Sequence, residues 1–260
     1  MQISTLEDNF YEMALADDEN SISTGFDELD EKMGGLKKGR LYVLGGRPAM
    51  GKTTLTLDVV LNALAKGKEV AVFCPKMSAT QCIKRLVDVL SKRADLIEVT
   101  ESESMKNTKA AITWLSDKPL SIDDTPGISV DEIRNSGLMD EPDLIVIDNL
   151  QSLTTLSDGD CSRKDELKNI LRDLKKLAEK KETAILTTSK ISRACEFRGD
   201  NRALLKDFSL YTDVYADVVL AMYRDEYYRY DTDKRGITEI AVLQNRDGTC
   251  GVSAFEWSPH

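Results

Sequence analysis

Short apolar runs alternate along this chain with longer stretches whose hydrophobic residues recur every three or four positions. Residues 41–44, 70–74, 120–122, 144–147, 184–187, 218–222 and 237–243 are brief and apolar, with β-branched residues prominent in several, and the spacing predicts strands. Residues 54–65 place Leu55, Val59, Val60, Ala63 and Leu64 on one helical face. Residues 78–91 read as a second helix. Residues 165–180 read as a third, charged and amphipathic, striped by Leu167, Ile170, Leu171, Leu174 and Leu177. Strands and helices taken in turn predict an α/β fold, a mostly parallel sheet flanked by helices.

The start of the chain departs from this rhythm. Residues 1–20 read as an arm. Ser4 and Glu7 make a capping box, and Leu6, Phe10 and Met13 share a face. That face suits a helix docked on its own domain or on a neighbouring subunit. Residues 17–23 are polar and read as a linker, so the expected organisation is an arm over 1–20 and one domain over 21–260.

Composition narrows the function classes. Hydrophobic residues make up 41% and charged residues 31%, an ordinary globular balance. The longest apolar runs cannot span a bilayer, and the acidic start lacks the basic-then-apolar order of a secretory signal. The formal net charge of −10 excludes nucleic-acid binding by bulk attraction and leaves only a local basic patch. Five widely spaced cysteines and a single histidine, His260, argue against a zinc site or a disulfide framework, and for a reducing cytoplasm.

Gly46-Arg47-Pro48-Ala49-Met50-Gly51-Lys52-Thr53 fits G-x-x-x-x-G-K-[ST] in full, between an expected strand and an expected helix. The glycines let backbone N–H groups approach phosphates, and the helix N-terminus adds positive potential. Gly46 to Thr54 is therefore the expected ATP cradle. Lys52 is expected on the β- and γ-phosphates and Thr53 on Mg²⁺. Asp148, ending the apolar run 144–147, reads as the second Mg²⁺ ligand, acting through water.

From Ser23 onward these residues resemble the C-terminal, RecA-like ATPase domain of the DnaB-type replicative helicases, hexameric helicases of superfamily 4. Thr24-Gly25-Phe26-Asp27-Glu28-Leu29-Asp30 is similar to that domain's opening, and Arg47 to Thr54 to its form of the phosphate loop. Ile122 to Ile128 and Asp131 to Arg134 are similar to the run before its second nucleotide motif, and Asp148-Asn149-Leu150-Gln151 to that motif itself. Arg198 to Arg202, Ala216-Asp217, Tyr223 to Tyr228 and Asn245 to Gly248 match its later segments. The resemblance implies a RecA-like P-loop core, ATP bound between subunits of a hexameric ring, and single-stranded DNA gripped in a central channel. It implies that Arg246 is the finger reaching a neighbour's γ-phosphate and that Gln151 senses phosphate or DNA.

Five departures bear on activity. The family's water-activating glutamate position is Lys76, in Phe73-Cys74-Pro75-Lys76-Met77. A protonated lysine cannot accept a proton. A glutamine position facing the γ-phosphate is Lys190. The lysine that accompanies the finger arginine is Gln244. The DNA loop, residues 207–217, is two residues shorter than the family pattern and lacks its Arg-Glu pair, leaving Arg198, Arg202 and Lys206 as the basic candidates for DNA. Lys175, Lys176, Lys180 and Lys181 read as a solvated helical face. The family's N-terminal, primase-binding domain is not recognised in this sequence. Two functions follow: a minimal helicase motor, with Asp123 or Asp124 as substitute carboxylate, or a catalytically attenuated paralogue that binds ATP and regulates or scaffolds DNA or a true helicase. A different RecA-like ATPase is a third reading, opposed by residues 122–128 and 223–228.

Overall fold

Six adjacent strands pair in parallel within an eight-stranded sheet in the computed structural model, which describes residues 21–99, 104–155 and 162–257. The arm expected over 1–20 lies outside the described residues. In chain order the elements are β1 (Ser21–Ile22), α1 (Asp27–Met33), β2 (Leu36–Lys37), β3 (Leu41–Gly46), α2 (Lys52–Ala65), β4 (Val70–Phe73), α3 (Ala79–Leu90), α4 (Ser104–Ser116) and β5 (Leu120–Asp123). They continue with α5 (Val130–Asn135), β6 (Leu144–Ile147), α6 (Arg163–Lys181), β7 (Ala184–Lys190), α7 (Thr212–Tyr215), β8 (Val218–Tyr223), β9 (Ile237–Asn245) and β10 (Gly251–Glu256). The sheet order is β10-β9-β8-β3-β7-β6-β4-β5, with β9 and β10 antiparallel at one edge.

The apolar runs of β3, β4, β6, β7 and β8 are buried on both faces, as a parallel sheet covered by helices requires. Tyr42, Leu44, Val70, Val72, Leu144 and Val146 point into a core shared with Leu57, Val60, Leu61 and Leu64 of α2 and Leu86 and Leu90 of α3. Their strand neighbours Leu41, Val43, Ala71, Phe73, Ile145 and Ile147 point the other way, onto Ile170, Leu171, Leu174 and Leu177 of α6. Each such buried side chain is worth about 1.5–3 kcal/mol. Ser78 caps α3, its hydroxyl accepting from the Gln81 N–H while the Gln81 side chain accepts from the Ser78 N–H.

Several elements go beyond those the sequence pattern predicts. Among the side chains of α4 only Asn107 and Ala111 are buried, so it carries no apolar stripe to read. α5 has six residues, started by a second capping box between Ser129 and Glu132. β10 buries only Ser253 and pairs on one side, against β9. The lysine face of α6 is not uniformly solvated: Lys175 donates to buried Asp217 at 2.8 Å and to the Gly39 carbonyl at 3.0 Å.

Candidate functional site

Phe73 of β4, Ile147 of β6 and Thr187 of β7 lie in register across three adjacent strands. The chain segments just beyond them, together with the loop after β3, build one cavity at the C-terminal edge of the sheet, where ligands bind in open α/β sheets. The cavity holds about 340 Å³, within the usual range for ligand sites. Pro48, Ala49, Gly51, Lys52, Thr53 and Thr54 line it from the loop and α2; Arg85, Asp148, Asn149, Thr188 and Lys190 line it from the opposite side.

The loop turns sharply to open α2. Ala49 has φ 63° and Gly51 φ 102°, and Gly51 stands at the helix N-terminus with no side chain between the first N–H groups and a ligand. Met50 is buried in the core and anchors the loop from below. Arg47 faces away: its Nε donates to Glu196 at 2.7 Å and an Nη to the Ile191 carbonyl at 3.1 Å, so it ties the loop to residues 191–196 and offers a phosphate only its backbone. The Lys52 ammonium donates to the carbonyls of Gly46 at 2.7 Å and Arg47 at 2.9 Å. Burial pulls its pKa down to about 8, with Asp148 opposing the shift and Arg47 and Lys190 adding to it.

Thr53 Oγ1 donates to one Asp148 oxygen at 2.5 Å, and the Thr188 hydroxyl donates to the other. The Asp148 N–H donates to the Phe73 carbonyl at 3.0 Å, which locks the aspartate between β4 and β7. A hydroxyl and a carboxylate converging beside a phosphate loop are the hard oxygen donors Mg²⁺ takes while it keeps waters and phosphate oxygens as its other ligands. The donor set therefore fits that ion.

Lys76 and Lys190 sit on either side of Asp148, each three residues beyond its register partner, and both are exposed. Partial burial and then the Lys190 charge hold the Lys76 pKa below the usual lysine value. Neither carboxylate considered as a substitute general base lines the cavity. Asp124 accepts from the Ala79 N–H at 2.7 Å, beside the start of α3, and Asp123 accepts from the Thr125 N–H at 2.7 Å. Among the described residues, Asp148 is the one carboxylate lining the cavity. Gln151 joins three segments: its amide donates to Ser189 at 2.9 Å and Ser209 at 3.4 Å, and its carbonyl accepts from the Lys190 N–H at 3.1 Å.

Arg246 lies at the other edge. Its N–H donates to the Asp217 carbonyl at 3.1 Å, and the Asp217 N–H donates to the carbonyl of Leu41, the first residue of β3. The phosphate loop follows the last residue of that strand, roughly 16 Å away at the usual rise per residue. The exposed Arg246 guanidinium caps α7 by donating to the carbonyls of Asp213 and Val214. Arg198 is paired with Asp207 and also donates to the Arg202 carbonyl at 2.6 Å. Arg202 is paired with Glu239 at 2.6 Å and lies 4.3 Å over the Tyr223 ring. Lys206 is exposed. Sequence reasoning missed Arg85 and the Thr188–Asp148 bond; the Thr187-Thr188-Ser189 run at the end of a strand beside that of Asp148 was the available signal.

Residues 21–260 match the family described as the DnaB-like helicase C-terminal domain. The chain is 34% identical over 251 residues to the replicative DNA helicase DnaC of Bacillus subtilis strain 168, an alignment covering 90% of this chain and 54% of that protein. It is 34% identical over 247 residues to the replicative DNA helicase DnaB of Geobacillus stearothermophilus, covering 88% and 53%. The chain thus spans about half the length of these curated relatives. Among solved structures, it superposes on a DnaB-like replicative helicase studied with its interactions with primase at TM-score 0.85 and 28% identity, over 98% of this chain and 64% of that one. A second solved structure, that of an ATPase domain, superposes at TM-score 0.84 and 28% identity, over 98% of this chain and 95% of that domain.

Proposed function

This chain belongs to the DnaB-like helicase C-terminal domain family, and from that premise we propose that it is a RecA-like ATPase domain of DNA replication that binds ATP with Mg²⁺, assembles with copies of itself into a hexameric ring and engages single-stranded DNA. The observation that carries this reading is the convergence of Lys52, Thr53 and Asp148 on one cavity at the mouth of a glycine loop. In it, backbone N–H groups of residues 49–54 hold the phosphates, Lys52 leaves its own loop carbonyls for the phosphate oxygens, and Thr53 and Asp148 would hold the metal. The chemistry gained from Mg²⁺ there is neutralisation of charge on the phosphate oxygens.

The position of Arg246 supports assembly. At the opposite end of β3 it cannot serve the cavity of its own chain, so a finger role needs a second copy. Gln151, bridging Lys190 and Ser209, joins the cavity edge to residues 207–217 and suits a sensor between nucleotide and DNA. For DNA, Lys206 is the most open basic candidate; Arg198 and Arg202 add to it by exchanging a carboxylate for a phosphate. The arm over residues 1–20 acts in this reading as a linker between subunits, and the protein works in the cytoplasm. No helix among the described residues is long and apolar enough to cross a membrane.

A second reading, the attenuated paralogue that holds ATP and scaffolds DNA or another helicase subunit, is favoured by the lysine at position 76 and by the absence, among the described residues, of a second carboxylate lining the cavity. Steady-state ATP hydrolysis with and without single-stranded DNA, with Lys52→Ala as the blank, separates the two. DNA-stimulated turnover of roughly 1 s⁻¹ or faster supports the motor. Turnover at the blank with ATP still bound supports the attenuated form. Failure to bind ATP rejects both.

A further inference from the structure

Arg246 begins the turn between β9 and β10, and its two neighbours in the chain are both tied down. Asn245 donates from its side-chain amide to the Lys32 carbonyl of α1 at 3.2 Å, and its side-chain oxygen accepts from the Asp247 N–H at 3.1 Å. Asp247 takes a two-pronged contact from Arg40, whose Nε and one Nη each lie 2.8 Å from a carboxylate oxygen. The other Nη of Arg40 lies 3.5 Å from Asp217. Asp217 is buried, and it accepts from the Leu41 N–H and the Lys175 ammonium, both at 2.8 Å. Its carbonyl accepts from the Arg246 N–H. Arg40 thus spans two carboxylates, one on the Arg246 turn and one buried against the start of β3.

A forked arginine–carboxylate contact fixes direction as well as distance. This one is partly exposed, Arg40 at 36% and Asp247 at 24%, so it adds little to folding stability. What it fixes is the course of the chain beside Arg246. The Arg246 guanidinium itself is exposed and donates to backbone carbonyls of α7, which it can exchange for a phosphate oxygen. We propose that Arg40 and Asp247 are positioning residues for Arg246: their ion pair holds the turn so that this side chain meets a triphosphate bound to a neighbouring copy. The inference rests on the proposed finger role of Arg246. A long side chain on a loose turn must be ordered as it binds, and that cost is subtracted from the contact. Anchoring the turn to Asp217 through Arg40 removes part of it beforehand.

Sedimentation of the full chain with AMP-PNP, a triphosphate analogue, and with ADP tests this and needs no turnover. A finger on a neighbour's terminal phosphate strengthens assembly with AMP-PNP more than with ADP. Arg246→Ala is expected to raise the protein concentration at half-assembly about tenfold with AMP-PNP, as loss of one charge-assisted contact does, and to stay within about twofold with ADP. Asp247→Asn and Arg40→Gln are each expected to raise it about threefold to fivefold with AMP-PNP, the scale of ordering one side chain, and not with ADP. Once Arg246 is alanine, neither is expected to add anything, a coupling that a purely structural role does not produce. Loss that persists beside Arg246→Ala, equal loss with both nucleotides, or no loss overturns the positioning role. Arg246→Ala behaving as the wild type does with AMP-PNP would instead overturn the finger reading, and the positioning role with it.

Discussion

An ammonium group enclosed by its own loop loses its proton early, and Lys52 has a pKa of about 8 for that reason. Phosphate binds the protonated form. ADP affinity is therefore expected to be level below pH 7 and to fall by up to about tenfold per pH unit above 8, the dependence expected of one proton. A calorimetric pH series checks this, and Lys52→Arg should flatten it. The stability of the free protein runs the other way: between the folded value and the ordinary lysine value near 10.5, the unfolded chain binds more protons, so this residue favours folding more as pH rises through that window. At position 76 the expected outcome of Lys76→Glu is faster ATP turnover, by ~10²-fold or more where a general base was the missing part. Rapid-quench measurement of ATP hydrolysis reads this effect. Unchanged turnover would mean that proton acceptance is not what limits this site.

At the scale of elements, the end of β3 supports more than the phosphate loop. A Cβ added at Gly45 would lie 2.2 Å from the Phe208 ring and 2.9 Å from Ile191. Gly45→Ala must therefore displace the segment after β7, and overpacking of this kind costs about 1–3 kcal/mol. Denaturant melts should show that loss. On the other face, Leu174 of α6 is fully buried under the sheet, and Leu174→Ala is expected to cost about 2–5 kcal/mol by the same measurement. The elements legible beforehand were those whose period says which face is buried: α2, α3, α6 and the seven apolar strands β3 to β9. α1, α4, α5 and β10 were not, because they are short, polar or one-sided, and are held in place by neighbours rather than by their own pattern. Lys175 makes the same point, since nothing in the α6 stripe signals that one lysine of the face turns inward to Asp217.

For the whole molecule, the separation of Arg246 from the cavity predicts that catalysis and binding respond differently to one change. Arg246→Ala is expected to leave ATP affinity of the isolated chain unaltered while removing at least ~10³-fold of whatever turnover the assembled protein has, the scale of an arginine finger. Specific activity should rise with protein concentration as copies assemble. Turnover independent of concentration and insensitive to Arg246→Ala would mean that each chain completes its own site.

The phosphate loop, the aspartate at the end of β6 and the parallel sheet were readable in the sequence because each depends on local order: a glycine loop between strand and helix, a carboxylate ending an apolar run, a period that changes from strand to helix. Family membership followed from those same short motifs. What the tertiary structure alone decided was how distant residues use their charge. It turned Arg47 to Glu196 and away from the cavity, paired Arg198 with Asp207 and Arg202 with Glu239, and set Asp123 and Asp124 against backbone N–H groups. Sequence specifies which charges exist; strand order and register specify which of them meet.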